Sequence, residues 1–233
     1  MKPPEAMVER VAAAIWDAHR KNEIERLAEF KFDHSIFDTA TELFLKAGER
    51  ERVVLSFSLI SKCIDAALRF HLSHSTKDDR KELLEGLGPL AGDAARLKLL
   101  RVLGWMPQGL SAGIDAVRRL RNRLSHSIVE ENLRPEAHMP PTLMAQLDET
   151  FDSVLAAVGS DATKFDVCRL KTFCGYSILM AAFAIEAVVA APSKQRLGLP
   201  PGAGPFYGWD DGPPWAQELR RSIARAILTL AAI

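Results

Sequence analysis

The chain has only three cysteines, Cys63, Cys168 and Cys174, an odd number with no C-x-x-C pair. That usage excludes a zinc ribbon and a disulfide framework, and the apolar helical contexts predict reduced core residues of a cytosolic protein. Charge of one sign is also lacking, since 30 acidic residues balance 30 basic ones. No global field attracts nucleic acid, so a local patch would have to hold it. Glycine loops of the G-x-x-x-x-G-K-[ST] or G-x-G-x-x-G type are missing, which removes the common phosphate cradles. No useful length shows the period-two alternation of strands, and no repeat of roughly 20–50 residues is present. The opening Met1-Lys2-Pro3-Pro4-Glu5 lacks the apolar core and small-residue cleavage site of a signal peptide, which predicts no export.

One long apolar run is present. Phe173 to Ala191 is broken only by Glu186 and approaches the roughly 20 residues that span a bilayer. Much of it is alanine, which gains little from lipid, and Glu186 is costly in hydrocarbon. The expectation is a central buried helix of a bundle, with no membrane contact.

The remaining pattern is helical, and the predicted fold class is all-α. Apolar residues at helical spacing predict helices from about Glu5 to Phe32, from Ile36 to Lys46, and from Glu49 to Leu72. Val53, Phe57, Ile60, Ile64, Leu68 and Leu72 make the third broad-faced and central. Thr76 with Asp78-Asp79 opens a short helix ending at Gly86, and another runs from Asp93 to Leu103, closed by Gly104. Pro107-Gln108-Gly109 reads as a connector and Ser111 as the N-cap of the next helix. Helices from Pro141 to Val158 and from Thr163 to Ala191 follow. The Pro- and Gly-rich stretch from Pro192 to Trp215 carries Phe206, Tyr207 and Trp209, too aromatic for an inert linker, and is expected to pack on the domain surface. A last amphipathic helix holds Leu219, Ile223, Ile227 and Leu230. The predicted organisation is an N-terminal helical extension (1–48), a helical domain (49–191), and an aromatic loop with a C-terminal helix on the same domain (192–233).

The stretch Leu120-Arg121-Asn122-Arg123-Leu124-Ser125-His126 is the main site candidate. Ile114, Val117, Leu120 and Leu124 mark a packed stripe, while Asp115, Arg118 or Arg119, Asn122 and His126 fall on a polar one. Arg121 lies at the edge between them, where a guanidinium needs a carboxylate, a phosphate or a partner subunit. Arg118, Arg119 and Arg123 add a local basic patch for phosphate or RNA. The bland alternative is a solvated helix end whose cations complement the dipole, with Arg121 paired to the embedded acid Asp65 and His126 bonded to a carbonyl. His71 and His74, near Asp78 and Asp79, have H-x-x-H spacing but lack a third fixed ligand, so neither metal nor cofactor is expected. Ser125 and His126 are adjacent and diverge on a helix, which excludes a nucleophile–base pair.

The ordered set Ile64-Asp65-Ala66-Ala67-Leu68, Gly88-Pro89-Leu90, Ala95-Arg96-Leu97, Leu103-Gly104 and Leu120 to Ser127 resembles the mannitol-operon-repressor (MltR) family, related to the HEPN helical superfamily. The resemblance covers about 80 residues and departs at Ser125, where the family often has alanine. It implies a HEPN-like helical bundle, here with added N-terminal helices, in a regulatory protein acting through protein or RNA partners. No helix-turn-helix pair supports direct DNA reading. HEPN ribonucleases carry an R-x4-6-H motif, and Arg121 to His126 matches its short form with Asn122. In such chemistry His126 would serve as base or acid, Arg121 would stabilise phosphate charge, and Asn122 would orient the imidazole or substrate. One histidine per chain implies a homodimer joining two motifs, and a toxin of this kind implies a cognate antitoxin.

Overall fold

The computed structural model describes residues 5–126, 135–158, 171–196 and 213–232. Among them the fold is all-α, with no strand. The helices are α1 (Glu5–Ala28), α2 (Ser35–Lys46), α3 (Glu49–His71), α4 (Lys77–Leu84), α5 (Asp93–Val102), α6 (Gln108–His126), α7 (Pro141–Val158), α8 (Phe173–Arg196) and α9 (Pro214–Ala231). A 3-10 turn, Pro135–His138, precedes α7.

Local chemistry explains most of the boundaries. Gly48 opens α3 by donating its N–H to Glu51 Oε2 at 3.0 Å. Thr76 and Asp79 form a reciprocal capping box at the start of α4, with Asp79 N donating to Thr76 Oγ1 at 3.1 Å. Gly86 and Gly104 follow α4 and α5 with φ of 60° and 67°, the left-handed turn that glycine adopts without a Cβ penalty.

The core centres on α3 packed along α8. α3 supplies Val53, Phe57, Ile60, Ile64 and Leu68, and α8 supplies Ile178, Ile185 and Val188 with a run of buried alanines. The apolar window Phe173–Ser193 is 83% buried, so the one described helix long and apolar enough to cross a membrane lies in the bundle's core. Side chains from both flanking segments join the same core, including Phe37 and Phe44 before residue 49 and Leu219 and Ile227 after residue 191. Trp215 docks α9 by donating Nε1–H to Leu27 O at 2.7 Å and packing edge-on against Phe30. Phe206, Tyr207 and Trp209 lie outside the described residues.

Two boundaries differ from the sequence expectation. α6 starts at Gln108, and Ser111 is a buried interior residue whose N–H already bonds to Pro107 O at 2.9 Å. With the first turn closed at Pro107, Ser111 has no N-cap to supply. α8 also continues through Pro192 to Arg196, while the expected start at Thr163 lies outside the described residues. Proline brings no N–H to the carbonyl four residues earlier, that of Val188. His71 Nε2 meets that carbonyl at 2.8 Å, which requires the Nε2–H tautomer and fixes the end of α3 to α8. Trp105 packs at a tilt against His71 and donates to Gln195 Oε1 at 3.2 Å, securing the helix beyond the proline.

Close helix approach depends on Gly113, where a Cβ would stand 2.1 Å from Leu143 Cδ2 and 3.4 Å from Met180 Sδ. Leu143 is itself buried and has nowhere to swing. Gly113→Ala gains about 1 kcal/mol of helix propensity but overpacks the α6–α7 contact by about 1–3 kcal/mol. The expected net result is a lowered urea midpoint. His71→Ala, by stranding the Val188 carbonyl, is expected to cost about 1–3 kcal/mol in the same measurement.

Candidate functional site

α6 carries the candidate residues along its final turns, and the structure divides its arginines into two groups. Asp115 takes Arg118 Nη2 at 2.9 Å and Arg119 Nε at 3.4 Å. These cations are therefore matched by a carboxylate on their own helix, three and four residues back. Arg123 is exposed and approaches His138 Nε2 at 3.4 Å. Arg121 behaves differently, because its guanidinium lies over the Phe57 ring at 5.0 Å and its Nη1 donates to Asn122 Oδ1 at 3.0 Å.

Asp65 does not hold Arg121. Its Oδ2 accepts from Arg69 Nε at 2.6 Å, and its Oδ1 stands 3.1 Å from Arg96 Nη1. The physical reason is position on α3. Arg121 meets α3 at Phe57, two turns and about 12 Å of helix rise before Asp65. Asp65 instead faces α5, in a row with Ser61 and Arg69 on successive turns of α3. Ser61 donates to Asp93 Oδ1, and Arg69 reaches Glu85 Oε1 at 3.2 Å. Its hydrogen bond to the Asp65 carboxylate holds the Arg69 guanidinium above its ordinary pKa.

Arg96 is the centre of this row. It is buried, donates Nε–H to Leu90 O at 2.7 Å and Nη2–H to Leu84 O at 2.9 Å, and turns Nη1 to Asp65. The Nη1–Oδ1 approach is a charge contact rather than an aligned hydrogen bond, since Oδ1 has no hydrogen-bond partner. Two main-chain carbonyls and a carboxylate satisfy a cation that would otherwise be costly to bury. Asp65, Gly88-Pro89-Leu90 and Ala95-Arg96-Leu97, three of the sequence pieces quoted above, thus meet in one clamp that shapes the bundle.

Around Arg121 the sequence reading missed two participants, Phe57 and Arg50. Phe57 was placed only in the α3 core stripe, yet it also supplies the platform for the guanidinium. Arg50 Nη2 donates to Leu124 O at the end of α6, whereas Arg52 Nε turns to α2 and donates to Phe44 O at 3.1 Å. The run Glu49-Arg50-Glu51-Arg52 resembles an ordinary solvated helix start, so only tertiary contact distinguishes its arginines. No ion pair among the described residues involves Arg50, Arg52 or Arg121. Their oxygen partners are neutral, although helix-end carbonyls carry partial negative charge that offsets part of the excess.

Asn122 is half-buried and sits one turn before His126 on the same face, and the side chain of His126 lies outside the described residues. Chemically the described part is a guanidinium held by a ring and an amide oxygen, with further N–H donors to offer. It suits an anionic oxygen group. Among the described residues no group of three or more His, Cys, Asp or Glu side chains could hold a metal ion. Of the earlier metal candidates, His71 is committed to the Val188 carbonyl. Cys63 is fully buried, and burial pushes its thiol pKa up, away from nucleophilic use. Family models, curated proteins and solved structures yield no match to this chain.

Arg96→Ala is expected to lower unfolding free energy by about 2–4 kcal/mol, because two main-chain carbonyls lose a donor and Asp65 loses a neighbouring charge. Asp65→Asn should cost less, about 1–2 kcal/mol, since the amide still accepts hydrogen bonds while the charge is lost. Urea unfolding monitored by circular dichroism checks both values.

Proposed function

We propose that this chain is a cytosolic, MltR-like regulatory protein of HEPN-like helical architecture that acts through a protein or RNA partner. The Arg121–Asn122 end of α6 is its contact for an anionic group. The observation that carries this reading is the state of Arg121, whose charge is met by an aromatic face and an amide oxygen instead of a carboxylate. A guanidinium held in one place offers directed, bidentate recognition of a carboxylate or phosphate. Direct reading of duplex DNA is disfavoured. Asp115 is shared by Arg118 and Arg119, and the whole chain has a formal charge of zero, which leaves little long-range attraction for a phosphate backbone.

A second reading is a metal-independent endoribonuclease of toxin or defence type, working as a homodimer under a cognate antitoxin. It is favoured by the same uncommitted Arg121, with Asn122 one turn from His126. Here Arg121 would stabilise the charge developing on phosphate during attack by the 2′-hydroxyl. His126 of one copy would accept the hydroxyl proton, while that of the other protonated the leaving oxygen. Arg118, Arg119 and Arg123 would contribute only weak steering.

A mixed RNA pool incubated with the folded protein in EDTA separates the readings. The regulatory reading predicts intact RNA and no specific retention of promoter DNA at physiological salt. Cleavage leaving 2′,3′-cyclic phosphate ends, abolished by both Arg121→Ala and His126→Ala, would replace it with the ribonuclease. Sequence-specific DNA binding by the chain alone would contradict both.

A further inference from the structure

The elbow where α2 gives way to α3 holds an open groove of about 560 Å3, within the size range of binding clefts. Its floor is aliphatic. Leu43 of α2 and Val54 of α3 are 43% and 39% exposed, and the part-buried Leu55 joins them. Helical spacing brings them together, because Arg50 and Val54 stand one turn apart on α3 and Leu43 and Lys46 one turn apart on α2. Single exposed aliphatic side chains are ordinary on a surface, whereas several gathered in one concavity and rimmed by charge form an interaction patch.

The rim is basic. Lys46 and Arg50 line the groove, and no ion pair among the described residues involves either. Arg50 gives one N–H to the Leu124 carbonyl and keeps others to offer. The one acid on the rim, Glu51, accepts the Gly48 N–H at 3.0 Å, so two cations against one engaged acid leave an excess of positive charge. Glu42, one turn before Lys46, makes no ion pair with it, and Glu49 falls well round α3 from Val54.

An occupant must therefore supply aliphatic side chains to the floor and carboxylates to the rim. Single-stranded RNA would meet the cations with phosphates, but its bases need aromatic platforms, and among the described residues no aromatic side chain lines the groove. An amphipathic helix presents both chemistries at once, with aliphatic residues at i, i+3 or i+4 and i+7 and acids beside them. We propose that the α2–α3 elbow docks an acidic amphipathic helix of a partner protein, whose aliphatic side chains cover Leu43, Val54 and Leu55 and whose carboxylates pair with Lys46 and Arg50. The inference rests on the reading of this chain as one that acts through a partner, makes that partner a protein, and requires nothing of Arg121.

Display of a random library of peptides about 16 residues long, roughly four helical turns, against the folded full chain tests it, with fluorescence anisotropy of the selected peptides as the readout. The selected sequences should carry aliphatic residues at helical spacing among Asp and Glu. Val54→Glu sets a charge on the aliphatic floor and should weaken their binding at least about tenfold. Lys46→Glu alters a solvated side chain and should weaken binding several-fold, with recovery when the acids of the peptide are exchanged for lysine. No enrichment, selected sequences that are basic or without pattern, or binding indifferent to Val54→Glu overturns the proposal. So does a dimer of the chain that Val54→Glu dissolves, which gives the groove to a second copy, or retention of single-stranded RNA that Lys46→Glu abolishes. Peptides lost in Arg121→Ala but not in Val54→Glu overturn the groove and leave the contact at the end of α6 standing. RNA cleavage in the EDTA assay removes the regulatory reading whether or not peptides seat in the groove.

Discussion

The packing of α3 against α8 is the constraint on which the other elements depend. α3 presents Ser56, Cys63 and Ala67 between its larger side chains, and α8 answers with Ala181, Ala184 and Ala190, all buried. Small residues on both helices allow close approach, so apolar burial at roughly 25 cal/mol per Å2 accumulates without voids. With that pair fixed, the remaining faces of α3 are assigned by geometry. Phe57 turns toward α6, Ser61 and Asp65 toward α5, Arg69 toward Glu85 just after α4, and His71 toward the Val188 carbonyl. A single helix therefore sets the core, the structural clamp and the platform of the candidate site.

The two kinds of arginine follow from where their helices end. Arg96 and Arg69 converge on Asp65 within the bundle, and Arg118 and Arg119 share Asp115 on their own helix. Near the end of α6 the oxygens within reach belong to Leu124 and Asn122, which are neutral. A chain with no net charge thus still holds an uncompensated cationic corner. Its field is local, because counter-charge elsewhere and about 8–10 Å screening at physiological salt confine it. Recognition there would be decided by short-range geometry rather than long-range attraction.

The helical pattern was legible where local chemistry suffices. α2, α3 and α5 begin and end within a residue or two of the positions marked by their apolar periodicity, Gly48 and Gly104. The buried path of α8 was also legible, from its alanine content and length. Three features were not, and each depends on a group distant in sequence. The passage of α8 through Pro192 relies on His71, which lies 117 residues away from the Val188 carbonyl it meets. The start of α6 at Gln108 made Ser111 an interior residue despite its capping chemistry. The partners of Asp65 were not read from sequence, which offered Arg121, whereas Arg69 and Arg96 hold it because α6 crosses α3 two turns away, at Phe57. The corner around Arg121 was partly visible through its own motif. Arg50 and Phe57 were hidden because their types and spacing are those of any amphipathic helix.

The central claim is that Asp65 is committed to the structural clamp, leaving Arg121 available to a ligand. Double-mutant cycles measured by urea unfolding address it directly, pairing Asp65→Asn with Arg96→Ala and, separately, with Arg121→Ala. Coupling of about 1–3 kcal/mol is predicted for Asp65 with Arg96, and additivity within about 0.5 kcal/mol for Asp65 with Arg121. The reverse pattern, with the larger coupling to Arg121, would place that arginine inside the clamp and contradict the account.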